Sequence, residues 1–74
     1  MGKGLRNKRL RDFKAHVLPG LEMYYPIDRR DNGSYTITTR DHGVIDFFPK
    51  ADKICFRNDN SWIIDGCNWL CNNL

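Results

Sequence analysis

The stretch "IDFFPKADKICFR", Ile45 to Arg57, decides the fold because it holds two short apolar runs separated by a polar turn. Each run alternates its side chains between two faces and is too short for a helix, which predicts two antiparallel strands. Ile45 and Phe47 then share one face of the first strand, and Ile54 and Phe56 share one face of the second. We expect these four side chains to form the core of a hairpin closed by the "PKAD" turn.

The other face of the first strand carries Phe48 beside Val44 and Asp46. A stacking platform for nucleobases needs rings on an open sheet face, interleaved with lysine or arginine. A carboxylate at Asp46 is unfavourable beside a phosphate path, so the sequence argues against Phe48 as a stacking ring. Four aromatic residues remain candidates for exposure, either at a protein interface or under a helix: Tyr24, Tyr25, Phe48 and Trp62.

Turn signals on both sides of this hairpin extend the sheet. Residues 21–28, "LEMYYPID", predict a strand, and Pro26 places it at an edge because proline cannot donate to a ladder. Asn32-Gly33 supplies the residues that favour a tight hairpin turn. Ser34 to Thr39 alternates as a further strand, the second of four in chain order, and every link between strands is short. These features predict an antiparallel meander.

Helical spacing appears at both ends of the chain. In residues 5–18 the apolar side chains of Leu10, Phe13 and Val17 share one face, and "PG" at positions 19 and 20 is expected to stop the helix. In "SWIIDGCNWLCNNL" an apolar stripe predicts a last helix. That helix starts either within "SWII" or after Asp65 as its N-cap, which would leave "SWII" extended. We favour the later start because Gly66 is a poor helix-interior residue.

The predicted fold is a single small α+β domain spanning residues 1–74. It consists of an N-terminal helix, a four-stranded antiparallel meander and a C-terminal helix on one face of the sheet. A chain of 74 residues forms a small core, which needs nearly all of its large apolar side chains inside.

Charge is distributed unevenly along the chain. Residues 1–18, a basic helical arm, hold six basic residues and one acidic residue, whereas the remainder is mildly acidic. This asymmetry indicates an anionic partner. The predicted binding residues are Lys3, Arg6, Lys8, Arg9, Arg11 and Lys14 in the arm, extended by Arg40, Lys50, Lys53 and Arg57 if the sheet presents them on the same side.

The basic arm is the strongest functional signal, and it supports two functions. Six cations could neutralise phosphates of a nucleic acid, with release of condensed counterions. Alternatively, the charged and aromatic surface could bind an acidic protein surface, such as a nucleic-acid mimic or a polymerase or nuclease subunit. A solvated helix face that only keeps the protein soluble is the third interpretation. Pairing of two copies along an edge strand is also open.

The residues from position 43 onward resemble a pattern found in many small phage-encoded proteins. In that pattern a strand of the type "V-D-F-Y-P" is followed by a turn, a strand ending near a tryptophan, a glycine and a short apolar helix. The matching residues here are Ile45 to Pro49, Lys53 to Arg57, Trp62, Gly66, and Trp69-Leu70 with Leu74. The resemblance implies a phage accessory protein in the cytoplasm of an infected bacterium, and it implies no catalytic residue. It also implies that the protein partner could be a host complex, such as the defence or transcription machinery, which the charged and aromatic surface would inhibit.

Enzymatic activity, a metal and a cofactor are not expected. The chain has no nucleotide-binding loop, no nucleophile elbow and no H-E-x-x-H motif. His42 follows Asp41 in a predicted turn, where a histidine is usually only solvated. Cys67 and Cys71 lie on the apolar stripe of the last helix, and with Cys55 they do not match paired zinc-binding knuckles. Residues 1–20 lack the apolar run of a signal peptide and no segment is long enough to span a membrane, so we expect a cytoplasmic protein with reduced thiols.

Overall fold

The computed structural model describes the backbone of residues 2–74 and the side chains of residues 4 and 7–74. The predicted binding residues Lys3 and Arg6 therefore have side chains outside the described residues. The elements in chain order are α1 (Gly2–Asp12), a π-helical turn (Phe13–Val17), α2 (Leu18–Glu22), β1 (Ile27–Arg29), β2 (Tyr35–Thr38), β3 (Val44–Phe48), β4 (Lys53–Phe56), β5 (Ser61–Ile64) and α3 (Gly66–Asn73).

The strands form one antiparallel sheet in the order β1-β2-β3-β4-β5. The α+β class and the meander are confirmed, but the count of four strands is wrong, because "SWII" adds a fifth. The turn before it is tight: Asp59 accepts hydrogen bonds from the hydroxyl and the backbone N–H of Ser61, and Asn60 adopts φ 57°. This turn returns Trp62 to pair with Cys55, and α3 starts after Asp65, as the favoured interpretation expected.

The N-terminal helix is longer than the sequence indicated. Pro19-Gly20 does not stop it: the N–H of Leu18 donates to the carbonyl of Phe13, five residues back, and the helix continues to Glu22. The wide π-helical turn lets a new α-helical turn begin with Pro19 near its start, where the missing N–H is not needed. Leu21 is consequently a buried helix residue, and the strand predicted over residues 21–28 shrinks to Ile27–Arg29.

The core lies between the helices and one face of the sheet. Phe13 is 1% exposed, and its ring centroid lies 5.1 Å from that of Tyr35 and 4.7 Å from that of Phe47. Three of the four side chains predicted to form the hairpin core, Ile45, Phe47 and Ile54, are fully buried. The fourth, Phe56, is half-buried and packs against the core. Among the described residues, the buried core cluster consists of Phe13, Leu21, Tyr35, Ile37, Ile45, Phe47, Ile54 and Leu70.

The turn between β3 and β4 fixes the start of α3. The backbone N–H of Gly66 donates to the carbonyl of Asp52 at 2.9 Å, and the N–H of Cys67 donates to its carboxylate at 2.8 Å. Asp65 occupies the N-cap position with a left-handed backbone, but its side chain makes no capping hydrogen bond. The capping carboxylate thus comes from a residue 13 positions earlier than the expected one.

Candidate functional site

The outer face of α1 and the π-helical turn carries exposed cations. Lys8, Arg11 and Lys14 are all exposed, whereas Phe13 in the same helical segment is buried. Among the described residues, the salt bridge that the structure contains joins Arg57 to Asp46 and involves none of these three cations. They are therefore available to an anionic partner.

Arg9 links this helix to the β3–β4 turn. Its Nη1 donates a hydrogen bond to the carbonyl oxygen of Lys50 at 3.3 Å. A depression of about 360 Å³ lies beside this contact, with Asp12, His16 and Asp52 in its lining. Lys50 is exposed at the turn, so the basic surface of the helix continues onto the end of the sheet.

The structure does not gather the other predicted cations on the same surface. Arg40 lies in the loop between β2 and β3, and consecutive turns of a meander lie at opposite ends of the sheet, so it is remote from Lys50. Lys53 shares the sheet face that carries Phe48, with which it is paired, and Arg57 lies on that same face beside Asp46. We call this helix-free side, with Phe48, Lys53, Asp46, Arg57 and Trp62, the open face.

On the open face Asp46 is held by several donors. Arg57 donates from Nε at 2.7 Å and from Nη2 at 3.0 Å, and the hydroxyl of Thr36 donates at 2.8 Å. Burial by itself would raise the pKa of Asp46, but the hydrogen bonds from Arg57 and Thr36, with the positive charges of Arg57 and Arg30, lower it below the ordinary value of 3.8. The carboxylate is consequently ionised and its charge is balanced locally.

Two aromatic rings meet on the same face. The centroids of Phe48 and Trp62 lie 5.4 Å apart with an interplanar angle of 33°. Trp62 is 56% exposed and Ile64 is 77% exposed, and together with Phe48 and Lys53 they line a shallow depression of about 410 Å³. Phe48 and Trp62 were singled out separately in the sequence. Their proximity was missed because it depends on the fifth strand, for which the alternation of Trp62 and Ile64 was the available signal.

The other two predicted aromatics lie near the end of α2. Tyr24 is 77% exposed, as is its neighbour Met23, whereas Tyr25 is half-buried. A depression of about 300 Å³ includes both tyrosines with Leu21 and Leu74. Met23 and Tyr24 thus form the exposed part of a second apolar surface, distinct from the open face.

The cysteines differ in exposure. Cys67 is half-buried; burial first, and the neighbouring Cys71 second, raise the pKa of its thiol to about 11. Cys71 is exposed, although the helical stripe placed it with the apolar residues, and Cys55 is half-buried on the open face. Within the described part of the chain, no three His, Cys, Asp or Glu side chains are grouped as a metal site would require.

His42 packs against α3. Its ring lies 4.9 Å from the ring of Trp69 in an edge-on arrangement, and its backbone N–H donates to the hydroxyl of Thr39. The expectation of a merely solvated turn histidine is therefore wrong, because the imidazole is half-buried against the tryptophan. This contact attaches the β2–β3 loop to the C-terminal helix.

Comparisons with protein-family models, curated proteins and solved structures find no match to this chain. The resemblance of residues 43–74 to small phage proteins accordingly stays a prediction. Over residues 2–74, none of the helices combines the length and the apolar character that crossing a bilayer requires.

Proposed function

We propose that this protein is a non-enzymatic nucleic-acid-binding protein whose N-terminal helix contacts phosphates. The observation that carries the proposal is the position of Lys8, Arg11 and Lys14, exposed on the outside of a helix whose inner side is anchored by Phe13. A helix held in this way presents its cations on a fixed surface rather than on a mobile tail. Arg9 and Lys50 extend that surface around the end of the sheet.

The binding would be electrostatic and independent of base sequence. Each neutralised phosphate of duplex DNA contributes about 0.9 to the negative slope of log affinity against log salt concentration. Three contacts from the helix therefore contribute about 2.7 to that slope. Arg9 and Lys50 would add to it if they reach the same strand.

The test compares two variants of equal net charge. Lys8→Gln, Arg11→Gln and Lys14→Gln in one protein remove three charges from the helix, and glutamine has a helix propensity close to that of lysine and arginine. Arg29→Gln, Arg30→Gln and Arg40→Gln in the control remove three exposed charges from the sheet and its loops. Affinity for a labelled duplex is measured from about 50 to 200 mM salt, a range over which such binding changes steeply.

We expect the helix variant to bind the duplex much more weakly at low salt, and its slope of log affinity against log salt concentration to be smaller by about 2.7. The control variant should keep most of the low-salt affinity and most of the slope. If both variants lose the same affinity for the duplex, binding depends on the net charge of the protein and not on the position of the helix cations. Absence of binding by the unmodified protein at low salt would refute the proposal.

A second candidate, inhibition of a host protein complex, is favoured by the exposed Met23 and Tyr24. Exposed tyrosine beside an apolar depression is typical of an interface hot spot. If this function is correct, the tagged protein captures one dominant partner after nuclease treatment, and Tyr24→Ala abolishes the capture. Recovery only of proteins bridged by nucleic acid would contradict it and favour the first proposal. A phage origin would place either function in an infected bacterium.

A further inference from the structure

We infer that the open face binds single-stranded nucleic acid by stacking bases on Phe48 and Trp62. The inference rests on the proposed affinity for nucleic acid but assigns it a second surface and a substrate class. Duplex bases are already stacked on each other, so rings on a sheet can reach only the unstacked bases of a single strand.

The geometry of the two rings fits this role. They lie 5.4 Å apart on a face that carries no helix, and Trp62 keeps more than half of its surface exposed. The depression that they line is shallow and extends over Ile64. Neighbouring rings of this kind accept successive bases without preference for sequence, because every base has a π-face.

Cations lie on both sides of Phe48. The depression of about 410 Å³ on one side includes Lys53. A smaller depression of about 150 Å³ on the other side includes Lys50 and Asn32, and Phe48 lines both. A backbone crossing Phe48 would therefore meet a lysine on each side, which is the interleaving of rings and cations that single-strand binding requires.

Asp46, the residue that argued against this surface in the sequence, forms a salt bridge with Arg57 in the structure. Its two carboxylate oxygens accept hydrogen bonds from Arg57 and Thr36. The carboxylate is also largely covered, with 16% of its side chain exposed. The repulsion expected between Asp46 and a phosphate is thereby reduced, and Arg57 keeps nearly half of its side chain exposed to solvent.

The open face is continuous with the basic helix. Lys50 lies beside Phe48 and is also hydrogen-bonded through its carbonyl to Arg9. A single strand stacked on the rings can therefore continue past the β3–β4 turn to the cations of α1. This continuity with the exposed cations of α1 favours a nucleic-acid strand over an apolar partner or a second copy paired along β5.

The test uses three probes with the unmodified protein: a thymidine oligonucleotide of about ten residues, an abasic oligonucleotide of the same length and charge, and a duplex. We expect the thymidine oligonucleotide to bind about 5- to 100-fold more tightly than the abasic one, because only the former can stack. In a Trp69→Phe background, Trp62 is the remaining tryptophan of the two in the sequence, and its fluorescence should be quenched by the thymidine oligonucleotide alone.

Single substitutions of the two rings test whether they are the residues on which the bases stack. Trp62→Ala removes an exposed ring, and Phe48→Leu keeps an apolar side chain of similar size, so both proteins should fold. Each should lose about 5- to 100-fold in affinity for the thymidine oligonucleotide and little for the abasic probe, with the salt slope unchanged. Tyr24→Ala, which removes an equally exposed ring elsewhere, is the matched control.

Equal affinity for the thymidine and abasic probes would overturn the inference without a variant being needed. If duplex binding then still depends on Lys8, Arg11 and Lys14, the proposed function of the helix is supported although the open face does not bind bases. Stacking that depends on Trp62 but not on those cations would support the open face and refute the helix as the site. A dimer that Trp62→Ala converts to a monomer, with no discrimination between the probes, would assign the face to a second copy instead.

Discussion

The guanidinium of Arg57 holds the carboxylate of Asp46 through two hydrogen bonds, Nε to Oδ2 at 2.7 Å and Nη2 to Oδ1 at 3.0 Å. Such bidentate pairs are stronger and more directional than single contacts between charged side chains. This pair fastens β3 to the end of β4 on the open face, where no helix packs. It also orders the polar part of the surface next to Phe48 and Trp62.

The pair makes stability depend on acid pH. Because the folded-state pKa of Asp46 lies below its ordinary value of 3.8, its contribution is present above that value and is lost as the pH falls through the folded pKa. Asp46→Asn should therefore lower the free energy of unfolding measured by urea at about pH 7, and should reduce the further loss of stability towards about pH 3. Asp28→Asn, an exposed carboxylate outside the pair, is the control. Equal acid sensitivity in Asp46→Asn and the unmodified protein would contradict the prediction.

The N-terminus of α3 depends on Asp52 rather than on Asp65. The Asp52 carboxylate accepts from the N–H of Cys67, whereas Asp65 makes no side-chain capping bond. Both residues have left-handed backbones, with φ 55° and 59°, so alanine brings similar backbone strain to each position. We expect Asp52→Ala to destabilise the fold by about 0.5–2 kcal/mol more than Asp65→Ala, because only the former removes a cap. Thermal or urea unfolding of both variants measures the difference, and equal losses would disprove the role of Asp52.

The sequence predicted single helices and strands better than it predicted how they pair and pack with one another. The alternation around Phe47 and the spacing of Phe13 located the central hairpin and the inner face of the helix, because both patterns are set by the geometry of one element. The fifth strand was missed as a strand of the sheet because a four-residue run gains its stability from pairing with β4, which lies outside the run itself. The end of the first helix was misplaced because a π-helical turn overrode the local signal of Pro19.

In the candidate site, too, features set within one element could be predicted, whereas contacts between elements could not. The exposure of Lys8, Arg11 and Lys14 follows from helical periodicity and could be predicted. The neutralisation of Asp46 by Arg57 joins residues 11 positions apart and depends on register, so alternation within one strand could not reveal it. The contact between Phe48 and Trp62 could not be predicted for the same reason, since it depends on the relative positions of three strands.

Gly66 is required by close packing rather than by its backbone conformation. A Cβ at this position would lie 2.9 Å from both Ile54 Cγ1 and Phe47 Cε1, two fully buried side chains. Gly66→Ala should therefore destabilise the fold by about 1–3 kcal/mol through overpacking. Gly20→Ala is the matched control within α2, because a Cβ there meets open space, and it should stabilise by about 0.5–1 kcal/mol. Urea unfolding distinguishes the two, and a stabilising effect of Gly66→Ala would refute the packing argument.

The three thiols should react at different rates. Burial, assisted by Cys71, raises the pKa of Cys67 from the ordinary 9.0 to about 11, so only about one thiol in a thousand is ionised at about pH 8. Since the thiolate is the nucleophile, we expect iodoacetamide to modify the exposed Cys71 at least about tenfold faster than Cys67, as followed by peptide mass spectrometry. Cys71→Ala should raise the rate at Cys67 only modestly, because burial is the larger cause. Modification of Cys67 as fast as Cys71 in the folded protein would contradict the packing of α3 described above.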